Sequence, residues 1–497
     1  MLKQVSDRFL VLYSSGSGVI GINAAIFGTW VLIFYNQVLG LSPVLASLAL
    51  GIALVFDAIS DPLIGAWSDR FNSRLGRRHP FIYASIIPLS LSFYFLFTEP
   101  ASYSQSYLFW KLLILVLIIR ISLTFYEIPR ASLGPELTKD YDKRNFVIGW
   151  AYAAAVLGAM TVTFVMYSFF LVETEEFSGN KAFLNPEGYE YFGLFSAMLI
   201  ILFGFTSALS THRFIPYLHK AQDEAYFSLR VFLKELYECF SNKSWLVMLL
   251  AGGFYGLNIG ITSGTATYVN TYFWEWTPSS ISLFPVIAGI ATIFGALLAV
   301  LITAGREKKN IVISVFILGL LIDPLPIWLR LLDDTFLLTL FPSNGTNLLW
   351  WVMIIHTSIV DALRAMGFVL VISMIYDIVE DSQISTGRRD EGVFMSGPNL
   401  IQKILSGFGI FILGIVMQII GFDSNNMTTE EIQNPIKNLV IFQSVIGPVL
   451  SLAGIICLFF YNITRDKFDN TISDLGYKEN KCFFQFLTKI QVKINLL

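Results

Sequence analysis

Twelve runs of mostly apolar residues, each long enough to cross a bilayer as a helix, constrain this chain more than any other feature. A helix rises about 1.5 Å per residue, so about 20 apolar residues cover the hydrocarbon. The runs fall at approximately 10–39, 43–68, 80–99, 109–133, 145–172, 190–210, 245–273, 280–303, 311–330, 348–377, 392–421 and 438–462. Lipid offers no water to backbone N–H and C=O groups, so each run must satisfy its own hydrogen bonds as a helix. The expected fold class is therefore an all-α polytopic membrane protein. Composition agrees: 55% of residues are hydrophobic, 14% are charged, and mean hydropathy is +0.64. That leaves too little polar surface for a soluble chain of 497 residues. The net charge of −3 predicts no nucleic-acid partner. Cys239, Cys457 and Cys482 are too few and too scattered for a disulfide framework or a thiolate metal site. The first run exceeds a signal-peptide core and no small-residue cleavage site follows it, so it reads as a retained span.

Lys and Arg gather in alternate loops: Arg70 to Arg78, Lys139 to Arg144, Arg213 to Lys243, Arg306 to Lys309, Arg388 to Arg389, and the tail after Arg465. The intervening loops carry little beyond Lys181 and Lys437. The positive-inside rule then predicts both termini in the cytoplasm of a multi-pass protein of a bacterial inner (plasma) membrane. The long connection after span 6 divides the chain into a six-helix bundle (1–210), a cytoplasmic linker (211–244) with an amphipathic stretch around Phe227 to Phe240, a second six-helix bundle (245–462) and a cytoplasmic tail (463–497). A weak repeat supports the division. Asp69-Arg70 and Gly76-Arg77-Arg78 follow span 2, and Gly305-Arg306-Glu307-Lys308-Lys309 follows span 8.

The residues that carry chemistry are the charges inside these runs. Asp57 and Asp61 stand four apart, hence on one helix face, and a carboxylate at the centre of a spanning helix costs roughly 2.5–3.5 kcal/mol. Two on one face read as a cation site. Arg120, Arg364 and Lys403 are intramembrane cations that either meet resident carboxylates or await an acidic solute such as a hexuronate. Tyr255, Asn258, Thr262, Thr265 and Tyr268 on span 7, with Asn23 on span 1, suit a wet cavity or close helix packing. His356 reads as a core polar residue, and no second His or Cys lies at metal-binding spacing. No Walker A loop is present, so ATP-driven transport by this chain alone is not expected. An intramembrane lipid-modifying enzyme built on His356 and Asp361 fits less well, because the charges spread over spans 2, 4, 10 and 11.

Gly65-Ala-Trp-Ser-Asp69-Arg70 with Gly76-Arg77-Arg78 resembles the loop signature of the major facilitator superfamily. More narrowly, Asp57-Ala-Ile-Ser-Asp-Pro-Leu-Ile-Gly65, Arg77-Arg78-His79-Pro80-Phe81, Glu127-Ile-Pro129, and Asp377-Ile-Val-Glu380 before Lys403 resemble the glycoside-pentoside-hexuronide:cation symporter family. The resemblance covers nearly all twelve spans. It implies secondary active symport of a sugar or sugar-like small solute with sodium or a proton, by alternating access, with no cofactor, no enzymatic activity and a monomer in the lipid bilayer.

By that resemblance Asp57, Ser60, Asp61, Thr124 and Glu127 form the cation site, with Asp57, Asp61 and Glu127 as metal ligands if the ion is sodium. Glu127 replaces the usual Asp and Ser60 an Asn, so the ion is left open. Lys403, with Asn399 nearby, takes the place of the family lysine facing the cavity. The solute set is completed by Arg120, Arg364, Asn23, Tyr152, Asn258 and Tyr255. The family's sugar-binding Asp, Arg and stacking Trp fall at Gly21, Tyr152 and Ala131, which implies a different solute. A related branch of the superfamily makes a lysolipid or other amphiphile the alternative cargo. Asp69, Arg70, Arg77, Arg78, Glu136, Arg144, Asp377, Glu380, Arg389 and Glu391 are the expected cytoplasmic gate, closing the inner side by ion pairs.

Overall fold

The computed structural model describes residues 5–138, 141–218, 242–303, 306–336, 341–386, 391–422 and 431–474. The amphipathic stretch at Phe227 to Phe240, most of the linker, Arg389 and the end of the tail lie outside the described residues, as do the side chains of Asp69, Arg70, Arg144, Glu391 and Asn399.

Among the described residues, twelve helices are long and apolar enough to span a membrane: Asp7–Thr29, Pro43–Gly65, His79–Leu96, Gln105–Gly134, Phe146–Phe170, Pro186–His212, Lys243–Phe273, Pro278–Thr303, Lys308–Phe336, Asn347–Ile384, Leu400–Ile419 and Gln433–Phe459. They are numbered spans 1 to 12. Three elements depart from the expected runs. Run 10–39 bends after Ser14 and again at Trp30, ending in a π turn at Phe34–Val38. The expected helix at 311–330 is two helices, Lys308–Ile322 and Leu325–Phe336, because Pro324 has no N–H to continue the ladder. Span 10 runs beyond residue 377, to Ile384.

The two halves repeat one packing plan. Span 1 packs on spans 5 and 6, span 2 on span 4, and span 3 on spans 4 and 6. Spans 7, 8 and 9 pack in the same way on spans 11 and 12, span 10, and spans 10 and 12. The repeat is closest at the ends of spans 1 and 7. Leu39 N–H bonds the Phe34 carbonyl and Leu41 N–H that of Tyr35, while Trp274 bonds Val269 and Trp276 bonds Asn270. Both sets enclose a π turn, at Phe34–Val38 and Val269–Phe273. Gly40 (φ 80°) has Glu275 (φ 53°) as its counterpart, so a glutamate holds the left-handed conformation that glycine adopts without steric cost. Ser42-Pro43 and Thr277-Pro278 then start spans 2 and 8.

Between the halves the main contact is span 2 on span 11. It depends on missing side chains: a Cβ on Gly51 would lie 3.0 Å from the Gly407 carbonyl oxygen, and one on Gly414 would lie 1.7 Å from Ser47 Oγ. Twelve spans place the two ends of the described chain, Val5 and Asp474, at one end of the bundle, termed the end with the termini.

Candidate functional site

At mid-depth the two halves meet through charge. Span 2 turns Asp57, Ser60 and Asp61 toward span 4, whose Thr124 hydroxyl lies 3.0 Å from Asp61 Oδ1 and 3.3 Å from Asp57 Oδ1. Ser60 Oγ donates to the Asp57 carbonyl at 3.1 Å and lies 3.4 Å from Thr124 Oγ1. From the other half, Lys403 Nζ on span 11 reaches Asp57 Oδ2 at 3.0 Å and Asp61 Oδ2 at 2.5 Å. Arg120 Nη1 lies 3.8 Å from Asp57 Oδ2, with its guanidinium 4.6 Å from the centroid of the Phe27 ring. Asp57 and Arg120 are buried.

Glu127, one turn beyond Thr124, has no hydrogen bond or ion pair among the described residues, although Lys403, Arg130 and both aspartates are near enough to act on its charge. Lys403 occupies the space between Asp57 and Asp61, and among the described residues no three His, Cys, Asp or Glu converge tightly enough to hold a metal ion. The expected trio Asp57, Asp61 and Glu127 is thus brought to one neighbourhood with an ammonium at its centre.

Arg130 and Asp323 are absent from the expectations above. Arg130 Nη2 donates to Ser17 Oγ at 2.8 Å, and its guanidinium lies 5.6 Å from the Tyr13 ring centroid and 5.7 Å from that of Tyr126. It stands three residues after Glu127 in the same apolar run, as legible a signal as Arg120. Asp323, beside Pro324 at the break of span 9, takes both Nη2 contacts of Arg364 at 2.9 and 3.1 Å, while Arg364 Nη1 donates to Asp361 at 3.3 Å. His356 Nε2 donates to the Ile322 carbonyl at 2.8 Å, satisfying an acceptor exposed by the same break. His356 is therefore a structural polar residue. Of the two roles open to Arg120, Arg364 and Lys403, a resident carboxylate or an acidic solute, all three meet a resident carboxylate.

The other solute-binding expectations are scattered. Asn258 Nδ2 donates to Ser451 Oγ on span 12 at 3.1 Å. Asn23 is buried, its Oδ1 without a hydrogen-bond partner among the described residues, and Tyr152 is partly exposed on span 5. Gly21 is held for packing, since a Cβ there would fall 1.8 Å from the Ala155 carbonyl oxygen.

At the end carrying the termini, Arg77 and Arg78 both pair with Glu136, the latter at 2.9 Å, and Lys308 pairs with Asp377 at 2.7 Å. Each of these pairs lies within one half. The far end is joined across the halves: Tyr268 donates to Asn36 at 2.9 Å, Tyr272 to Gln37 at 3.0 Å, Thr267 to the Thr29 carbonyl at 2.6 Å, and Asn180 to the Thr271 carbonyl at 2.9 Å.

Comparison with known proteins places this architecture. The isoprimeverose transporter of Lactiplantibacillus pentosus is 23% identical, covering 93% of this chain and 89% of its own. The inner membrane symporter YicJ of Escherichia coli strain K12 is 20% identical, covering 93% of each. Among solved structures, a D-xylose-proton symporter superposes with a TM-score of 0.62 at 13% identity, covering 92% of this chain and 98% of that one, a likeness of fold. The family described as MFS/sugar transport protein matches residues 12–465, and it is a family of membrane transporters, not of enzymes. This chain belongs to the MFS/sugar transport protein family.

Proposed function

We propose that the protein takes up a sugar together with a monovalent cation, sodium or a proton, by alternating access. The observation that carries this reading is Lys403 of one half seated between Asp57 and Asp61 of the other. Its ammonium stands in for the coupling cation. Carboxylates and the hydroxyls of Ser60 and Thr124 offer the hard oxygens that sodium prefers, and crowded carboxylates equally hold a proton. Glu127 is the carboxylate left to attract the incoming ion. When the ion arrives, Lys403 is released from spans 2 and 4, which loosens the joint between the halves and turns an ammonium toward the solute. When it leaves, Lys403 returns and the empty carrier resets with its aspartates neutralised. Linkage then requires the solute to raise cation affinity by the same factor as the cation raises solute affinity.

The Lys and Arg distribution supports a plasma-membrane carrier with cytoplasmic termini. On that orientation the bonded far end is the outer one and the conformation is closed to the outside. One chain supplies both halves of the site, which supports a functional monomer.

The test is cation-driven accumulation in proteoliposomes. Asp61→Asn removes one charge with little change of shape and should abolish accumulation while the protein stays folded. Accumulation at the wild-type level would dismiss the proposed role of Asp61.

A further inference from the structure

Arg364, Asp323 and Asp361 stand apart from the cation site, at mid-depth in the second half. Arg364 lies about 20 Å along span 10 from Asp377, which pairs with Lys308 at the end bearing the termini, and as far from Trp350, whose indole bonds the Ser280 carbonyl at the other end. Yet its side chain is 53% exposed and that of Asp323 45%. Contact of such charges with lipid is costly, roughly 2.5–3.5 kcal/mol at a helix centre, so exposure at this depth marks water inside the bundle. Tyr255 of span 7, 41% exposed, stands near enough to interact with Arg364 and Asp361, and its hydroxyl has no hydrogen-bond partner among the described residues. Arg364 donates through Nη1 and Nη2, leaving its Nε–H without a partner among the described residues.

The structure therefore offers, at one water-reached place, unused carboxylate lone pairs, an unused guanidinium N–H and an unused hydroxyl. A sugar hydroxyl both donates and accepts, and neighbouring hydroxyls on a ring can engage an acidic and a basic side chain together. We propose that Asp323, Asp361, Arg364 and Tyr255 form a solute-binding site on the second half that selects neutral, polyhydroxylated sugars and rejects acidic ones. Two carboxylates to one guanidinium leave the site with an excess negative charge, which disfavours a uronate. An added metal ion would meet the guanidinium already seated between the carboxylates. The inference rests on the symport reading and narrows its cargo.

The experiment measures cation-driven uptake of xylose, isoprimeverose and raffinose into proteoliposomes, with glucuronate and methyl glucuronide as competitors. The expected result is uptake of at least one neutral sugar that a tenfold excess of either acid does not inhibit. Asp361→Asn should raise the half-saturating sugar concentration tenfold or more. Tyr255→Phe, which removes one oxygen and spares the charges, should raise it about threefold. Both should leave the half-saturating cation concentration within twofold of wild type, a separation that general damage to the fold would not produce. Neutral uptake with sugar affinity unchanged in both variants, or with acids competing as well as neutral sugars, would overturn this site while leaving symport standing. No cation-driven uptake of any probe would overturn the symport reading and this one with it.

Discussion

Tyr272 donates a hydrogen bond to Gln37 at 3.0 Å, and the two residues, 235 apart, are each other's counterparts in the repeat that relates spans 1 and 7. The contact lies where the two halves mirror one another, so it joins the halves at their shared axis. It is one of the bonds that any separation of the far ends must break. Gln37→Cys with Tyr272→Cys should be joined by a cleavable bis-thiol cross-linker long enough to replace the two side chains, which should stop uptake until the linker is cleaved. Transport at an undiminished rate by fully cross-linked protein would show that this end does not open during the cycle.

Replacing both Tyr268 and Tyr272 by Phe should shift the carrier toward the conformation open at that end. Two neutral hydrogen bonds at about 0.5–1.5 kcal/mol each correspond to roughly 5- to 150-fold in the equilibrium between conformations. Solute binding from that side, measured on oriented vesicles, should strengthen accordingly. Unaltered binding would mean that the bonds contribute equally to both conformations.

Lys403→Ala separates two steps of the proposed cycle. Without the tethered ammonium, Asp57 and Asp61 should bind the coupling cation more tightly, because only Arg120, 3.8 Å from Asp57, still competes for them. The empty carrier, however, would reset with uncompensated carboxylates. Exchange of labelled for unlabelled solute at equal cation concentration should persist while net uptake falls at least tenfold. Loss of both together, with cation affinity unchanged, would count against Lys403 as a substitute for the ion.

Glu275, exposed and left-handed at φ 53°, should be replaceable by glycine with a gain of up to about 1 kcal/mol. Glu275→Val should lose about as much. Thermal unfolding in detergent distinguishes them, and equal midpoints for the two variants would refute strain at this turn.

Gly414→Ala places a methyl group against Ser47 Oγ and the Pro43 carbonyl, 1.7 and 2.7 Å from its ideal position. The expected cost is about 1–3 kcal/mol of stability. Ser47→Gly should restore part of it. If the single variant unfolds and transports like wild type, spans 2 and 11 separate there at little cost.

The spans, and the charges inside them that the structure gathers around Asp57, were legible for one reason: a polar group in lipid is expensive, so Asp57, Asp61, Arg120 and Lys403 stand out against an apolar background. Pairing was less legible. Asp323 and Arg364 lie 41 residues apart, on helices whose meeting depends on a break at Pro324, and no periodicity reports which cation meets which carboxylate. The π turns escaped because hydrophobic patterning is too coarse to register one additional residue in a turn. The repeat at residues 39–43 and 274–278 was visible in principle, since Ser-Pro and Thr-Pro recur at equal spacing, but its sign is a backbone bond pattern more than a shared motif.

The π turns have a mechanical consequence. Each stores one residue of slack at the end of a spanning helix, in the turn that carries Asn36 and Gln37 beyond span 1 and in the turn that carries Tyr272 at the end of span 7. If that slack passes along the helix, the side chains beyond it rotate by about 100° with no net loss of backbone hydrogen bonding. A twist of that size is enough to turn Gln37 or Tyr272 away from its counterpart, so this bond of the seal can be released by a change of helical register in a single span.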